Sequence, residues 1–286
     1  MRILSIQSWV AYGHVGNAAA LFPLQRLGAE VLAVHTLQFS NHPGYGRFRG
    51  MPFPPSHVAE VVTGLAERGI LAECDGVLSG YLAQVGTGAA VLRAVAEMRA
   101  ANPHGLYCCD PVCGDDGPGI YVQPDLPRFF LKDALPAADI TTPNRFELAY
   151  LTANPCLTLA EVKAAIAALQ GKMRKDGLQT VLVSSANTEC TPAEAVDTIV
   201  GEAGAFYLLR TPKLPLQPSG SGDLLAALFF YHRLQGNSGR EALENAVSVL
   251  FGILRRTAEL GRRELAMIAA QDEIITPSRR FCAEAV

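Results

Sequence analysis

Short β-rich runs alternate with longer helical ones over most of this chain, and that alternation narrows the fold more than any single motif. Ile3–Gln7 reads as a buried strand, Asn17–Leu27 as an Ala-rich helix stopped at Gly28, and Val31–Val34 as a second strand. A Gly/Pro-rich stretch, Asn41–Pro55, follows, and Ser56 stands where it would cap a helix to about Arg68. Gly76–Gly80, Leu106–Asp110, Ile140–Thr142 and Val181–Ser184 read as further strands, with a helix over Ala89–Ala101. Gly201–Arg210 reads as a hairpin turning at Glu202-Ala203-Gly204, and the chain closes in helices over Leu224–Leu234, Gly239–Leu260 and Glu264–Ala270. Strand–helix–strand order predicts an α/β fold whose mostly parallel sheet is covered on both faces. With 286 residues, 49% hydrophobic and no linker-like break, the pattern predicts one domain over 1–286.

Composition excludes several function classes. The formal net charge is −3, with no basic run and no aromatic–basic interleaving, so nucleic acid is not an expected partner. Met1–Ile6 leads straight into a strand-like segment rather than a charged, apolar and small-residue leader, and no stretch is apolar enough to span a bilayer. Seven cysteines, mostly in apolar surroundings, read as buried free thiols of a reducing, cytoplasmic setting. Cys109 and Cys113 flank Asp110, but no second Cys or His pair stands at zinc spacing.

In open α/β sheets ligands bind beyond the carboxyl ends of the strands. Polar residues collect at those ends here: Ser8, Tyr81, Asp110, Thr142 with Asn144, and Ser184. The most informative segment is Gln217-Pro218-Ser219-Gly220-Ser221-Gly222-Asp223, directly before the apolar run Leu224–Phe230. Its glycines allow a tight turn and close backbone approach to a ligand. The helix behind it presents unpaired N–H groups and the positive end of its dipole to an anion. Asp223 in that first turn makes sense as a base taking a hydroxyl proton while the loop holds a phosphoryl group. The same letters also describe an ordinary capped helix, and they match neither a Walker A loop nor a dinucleotide fingerprint. Asp110-Pro111 places a carboxylate at a strand end, where it can hold Mg²⁺ through water or simply form a turn. Asn144 and Glu147 have capping-box spacing and can also point from a helix start toward a metal and a triphosphate. Ser8 can bind a polar ring substituent. Asn41–Pro55 is the best candidate for a flap.

Taken in order, these pieces resemble the pyridoxal kinases of the ribokinase superfamily. The resemblance runs over nearly the whole chain. It is carried by Ile6-Gln7-Ser8, Tyr12-Gly13-His14-Val15-Gly16-Asn17, Gln38-Phe39-Ser40-Asn41-His42 and Ser79-Gly80-Tyr81. Cys109-Asp110-Pro111-Val112, Pro143-Asn144 with Glu147, Gly220–Asp223 and Ala269-Ala270-Gln271-Asp272 complete it. It implies a ribokinase-like three-layer α/β/α fold with a flap over the substrate site. It also implies ATP-dependent phosphorylation of pyridoxal, and of pyridoxine and pyridoxamine as further substrates. Asp223 would be the base, and the amides of Gly220, Ser221, Gly222 and Asp223 the anion hole. Ser8, Val15, Pro43, Gly44 and Tyr81 would surround the pyridine. Asp110, Thr142, Asn144, Glu147, Ser184 and the segment Arg210-Thr211-Pro212-Lys213 would serve the nucleotide, with Asp110 and Glu147 on Mg²⁺. Family members are typically cytosolic homodimers that need Mg²⁺ and are often helped by K⁺.

The chain departs from the family pattern at two places. Pro43 follows Asn41-His42 where Thr is usual, and Trp9 stands beside Ser8 where His is common. Both fall on the substrate side, so two other readings stand beside the first: a kinase for another hydroxymethyl compound, such as a hydroxymethylpyrimidine or a sugar, and a protein that binds a vitamer without catalysis.

Overall fold

Burial on both faces is what the strand sequences require, and the computed structural model supplies it. It describes residues 1–216 and 218–286; Gln217, at the approach to the glycine loop, lies outside the described residues. The strands are β1 (Arg2–Tyr12), β2 (Glu30–Asn41), β3 (Gly50–Pro52), β4 (Gly76–Ser79), β5 (Leu106–Cys109), β6 (Gly114–Asp115), β7 (Gly119–Ile120), β8 (Ile140–Thr141), β9 (Thr180–Val183), β10 (Ala195–Glu202), β11 (Ala205–Pro212) and β12 (Glu284–Ala285). The α-helices are α1 (Asn17–Arg26), α2 (Pro55–Glu67), α3 (Val85–Ala101), α4 (Leu126–Phe129), α5 (Arg145–Thr152), α6 (Leu159–Gln170), α7 (Ser221–Leu234), α8 (Gly239–Glu259) and α9 (Gln271–Ile275).

Among the described residues, one 10-stranded sheet has the order β12-β11-β10-β9-β8-β5-β4-β1-β2-β3. Its centre, from β9 through β8, β5, β4 and β1 to β2, is parallel. β10 reverses direction and β11 reverses again, so the far end of β11 returns to the carboxyl rim. Successive strand residues enter opposite cores, as period-2 geometry demands. Leu4, Ile6, Val77, Tyr107, Cys109, Val181 and Val183 pack with α2 through α6, while Ile3, Leu78, Cys108, Ile140 and Leu182 pack with α1, α7, α8 and α9. The expected three-layer α/β/α fold is present.

Several local expectations are corrected. Ser56 does not cap α2; Pro54 takes that position and Pro55 the first turn, where a missing N–H costs nothing. Gly16 stands at the N-cap of α1. Asn17 is buried, accepting from Ser5 Oγ at 2.7 Å and donating to the Val34 carbonyl at 2.9 Å, so it ties α1 to β1 and β2. Glu264–Ala270 is a run of turns rather than a helix; Leu265, Ala266 and Met267 anchor it in the core and α9 begins only at Gln271. β1 and β2 run well past their expected ends and carry Asn41–Pro55 as an edge hairpin, with β3 antiparallel to β2. The β10–β11 turn falls at Ala203-Gly204, both at positive φ as a two-residue hairpin demands. α6, which the periodicity left unassigned, starts with its own capping box at Thr158 and Glu161. Five of the seven cysteines are buried and all are free. Among the described residues no helix is long and apolar enough to cross a membrane.

Candidate active site

The glycine loop is built into its place by contact with another loop. Gly220 caps α7 at φ 88°, a conformation that favours glycine. A Cβ there would overlap the His14 carbonyl, standing 2.8 Å from its carbon and 3.3 Å from Val15 Cα. The β1–α1 loop is therefore seated directly on the glycine loop. Gly16 is equally confined, because a Cβ there would run into the Ser8 carbonyl and hydroxyl. Ser8 and Val15 are buried beside these loops, and Tyr81 is half-buried beyond β4. No side chain caps α7, and the first α7 amide with a helical partner is that of Leu224, bonded to Gly220. Among the described residues, the Ser221, Gly222 and Asp223 amides are left free for an anion.

A second carboxylate, that of Asp110, lies within electrostatic reach of Asp223. Burial raises its pKa above the usual carboxylate value, while the Gly16 N–H and His42 pull it back. Asp110, just past β5, is buried and its pKa is raised further, by burial first and then by Glu147 and Asp223. The Thr142 hydroxyl beside Asp110 acts in the other direction, yet its buried Oγ1 makes no hydrogen bond of ordinary geometry among the described residues. Among the described residues no cationic side chain acts on Asp110.

Glu147 makes the helix cap that its spacing suggested. The capping box is real: Asn144 Oδ1 accepts from the Glu147 N–H at 2.8 Å, and Glu147 Oε2 accepts from the Asn144 N–H at 2.9 Å. Its other oxygen accepts from the Cys113 and Gly114 amides at 2.8 and 3.3 Å. Burial nevertheless pushes its pKa up to about 7. Asn144 donates to the Gly114 carbonyl at 2.9 Å and bridges to Ser184, so α5, β9 and the loop after Asp110 meet at one point.

The structure does not bring every expected residue to this cluster. Arg210 is committed to the buried Asp197, with two bonds of 2.7 Å, and also reaches the Cys190 carbonyl at 3.0 Å. That bidentate pair accounts for Arg210 as a brace of the β10–β11 hairpin. Thr211, Pro212 and Lys213 lie at the rim end of β11, three strands from β8. Pro43 and Gly44 form an exposed 3₁₀ turn, Pro43–Tyr45, in the flap. Trp9 packs at a tilt of 37° against His35 of the neighbouring strand, with ring centroids 4.8 Å apart.

Two further residues join the site, His42 from a motif that carried the resemblance and Tyr121 without a signal in the sequence. His42 Nδ1 accepts from the Gly44 N–H at 3.2 Å and pairs with Ser219 Oγ at 3.1 Å, which links flap to glycine loop. Tyr121 has a half-exposed ring, but its phenol pKa is raised by burial and then by Glu147, Asp223, Asp115 and Asp110. It lies in the loop just after β7, and no periodicity singled out that position.

The first turn of α7 with its acid Asp223 thus comes together with the buried Asp110 and with the Thr142 hydroxyl, which is unpartnered among the described residues. A model of the phosphomethylpyrimidine kinase family matches residues 53–267. The chain is 53% identical to the pyridoxal kinase of Granulibacter bethesdensis, over 99% of both chains.

The chain belongs to the pyridoxal kinase family.

It is also 50% identical to the pyridoxal kinase of Deinococcus radiodurans, over 100% of this chain and 96% of that one. Among solved structures, the pyridoxal kinase from Leishmania donovani in complex with ADP and pyridoxamine superposes with a TM-score of 0.91 at 28% identity, covering 100% of this chain and 99% of the other. The same enzyme in complex with ADP and pyridoxine gives 0.90. Similarity therefore extends over the whole pyridoxal kinase length, including the flap and the C-terminal turns.

Proposed function

We propose that this chain transfers the γ-phosphoryl group of ATP to the 5′-hydroxymethyl group of pyridoxal, with Asp223 as the base. The observation that carries this reading is the α7 N-terminus, where amides unpartnered among the described residues stand beside a carboxylate whose pKa burial raises. Asp223 takes the hydroxyl proton as the new O–P bond forms and the bond from the γ-phosphorus to the β-bridging oxygen breaks, releasing ADP. The Gly220–Asp223 amides stabilise charge on the migrating group, a term of about 3–4 kcal/mol per donor in comparable sites. Ser8, Val15, Pro43, Gly44 and Tyr81 would enclose the pyridine. Asp110, Thr142, Asn144, Glu147 and Ser184 would face the nucleotide, with Thr211, Pro212 and Lys213 at its far edge.

Mg²⁺ fits this donor set. Among the described residues Asp110 is a buried acid without a cationic neighbour, and the adjacent Thr142 Oγ1 is an orphaned polar atom. No group of three or more His, Cys, Asp or Glu side chains is arranged to hold a metal among the described residues. That suits an ion bound by one or two carboxylates together with phosphate oxygens. Asp110 would hold it, with Glu147 acting through water, and the bound ion would neutralise phosphate charge. The reading carries with it help from K⁺, a homodimer and a cytoplasmic setting, as the resemblance implies. One sheet with β1 and β12 drawn from opposite ends of the chain supports treating 1–286 as one folding unit.

Of the two departures on the substrate side, Trp9 packs its ring against His35 of the neighbouring strand, and a substrate panel tests whether another substrate is preferred. Asp223→Asn is expected to lower kcat by ~10²–10⁴ while pyridoxal binding is kept, measured by coupled ADP release and by titration. Turnover near wild type in that variant refutes Asp223 as the base. A panel of vitamers, hydroxymethylpyrimidine and ribose at matched ATP tests the substrate; a higher kcat/KM for a non-pyridine compound overturns the assignment. Vitamer binding without ADP formation overturns catalysis itself.

A further inference from the structure

Glu264 has no part in the chemistry above, yet its carboxylate touches two separate pieces of the site. It sits in the turns after α8, held in place by the buried Leu265, Ala266 and Met267 and by the Ala266 N–H bond to Thr257 Oγ1 at 2.9 Å. Glu264 Oε2 accepts from the His14 N–H at 3.1 Å, in the β1–α1 loop. Glu264 Oε1 accepts from the Tyr45 hydroxyl, in the flap turn. Gly13 leaves the room for this, since a Cβ there would overlap the Glu264 carboxylate. The neighbouring Arg263 reinforces the grip: its Nη2 donates to the Gly44 carbonyl at 2.8 Å and its guanidinium lies 3.7 Å from the Tyr45 ring centroid.

The two gripped pieces are the walls proposed to enclose the pyridine. His14 is also the residue whose carbonyl packs against Gly220, and Gly16 of the same loop acts on Asp223. A residue that fixes His14 relative to Tyr45 therefore sets the distance between flap and glycine loop. Two acceptors on one rigid carboxylate suit that task, because both donors are satisfied without moving either loop.

We propose that Glu264 is a positioning residue for the vitamin side of the reaction, joining the flap turn Pro43–Tyr45 to the β1–α1 loop so that the ring pocket is shaped before pyridoxal enters. This rests on the pyridoxal-phosphorylating reading above. A pocket shaped in advance lowers the ordering cost of binding, so its loss falls on KM for the ring substrate rather than on the phosphoryl step.

The test compares Glu264→Ala, Glu264→Gln, Tyr45→Phe and the double variant Glu264→Ala/Tyr45→Phe, each as the full chain, with thermal unfolding to establish folding. Glu264→Ala is expected to raise the pyridoxal KM by roughly tenfold or more, with ATP KM within about twofold and kcat within about threefold. Glu264→Gln keeps one acceptor and recovers part of the loss. Tyr45→Phe shifts pyridoxal KM the same way, and the double variant is no worse than Glu264→Ala, because the hydroxyl has no other partner to lose. An unchanged pyridoxal KM in folded Glu264→Ala, equal rises in both KM values, or additive effects in the double variant each overturn the proposal. Should Glu264→Ala fail to fold, Tyr45→Phe decides alone, and a pyridoxal KM within twofold of wild type overturns the proposal. Wild-type protein that does not phosphorylate pyridoxal sinks the parent reading instead, so the two failures are separable.

Discussion

Gly220→Ala isolates how tightly the glycine loop is built against its neighbour, and Gly28→Ala provides its control. The two glycines have nearly the same φ, 88° and 89°. A Cβ at Gly28, at the far end of α1, meets nothing within 4 Å. At Gly220 it stands 2.8 Å from the His14 carbonyl carbon and closer still to the oxygen. An L-residue at positive φ costs about 1–2 kcal/mol, partly offset by about 0.4–1 kcal/mol from a stiffer unfolded chain. Gly28→Ala is therefore expected to lose about 1 kcal/mol. At Gly220 the clash adds about 1–3 kcal/mol of overpacking, for a total of about 2–4 kcal/mol. At the entropy expected for a chain this long, that lowers Tm by roughly 3–7 °C, against roughly 2 °C for the control. Relief of the closer approach to the oxygen to ordinary contact near 3.5 Å needs a backbone shift of well over ~1 Å, and misplacement of even ~1 Å near reacting atoms costs ~10² in rate. Differential scanning calorimetry and coupled ADP-release kinetics on both variants read the two effects. Equal Tm losses and equal kcat/KM in the pair would refute the close packing of Gly220 on His14.

Arg210→Ala removes the partner of the buried Asp197 and is expected to lose about 2 kcal/mol in urea unfolding, below the value for a fully buried pair because the Arg210 side chain is 39% exposed. ATP KM should change by less than ~3-fold; a tenfold rise at unchanged stability would return Arg210 to the nucleotide. Burial lowers the His232 pKa from 6.5 to about 4. A depressed folded-state pKa gives stability that is present above the unfolded value and is lost as pH falls from 6.5 through about 4, on the order of 1–2 kcal/mol after discounting for partial exposure. His232→Gln should flatten that acid limb in unfolding measured from pH 7 to 4, and an unchanged slope would remove His232 as its source.

Much of the site was legible because its parts are local. Asn144 and Glu147 are three residues apart, and a capping box needs nothing beyond that spacing, so its hydrogen bonds followed from the letters. Gly220 through Asp223 announced a turn into a helix for the same reason, and β/α alternation was enough to place Ser8, Asp110, Thr142 and Ser184 at one rim. What failed was anything decided by distant partners. Asn17 has the letter of a cap but is drawn into the core by Ser5 and Val34. Glu264–Ala270 has helical composition, yet its acid is held by His14 and Tyr45, more than 200 positions away in each case. Arg210 looked like a nucleotide ligand until Asp197 on the paired strand claimed it. The sequence by itself determined the layer architecture and the identity of the acid at the α7 mouth, since hydrophobic period and turn chemistry act over a few residues. Only the tertiary structure decided which loops touch, because those contacts depend on strand order and loop closure rather than on neighbouring letters.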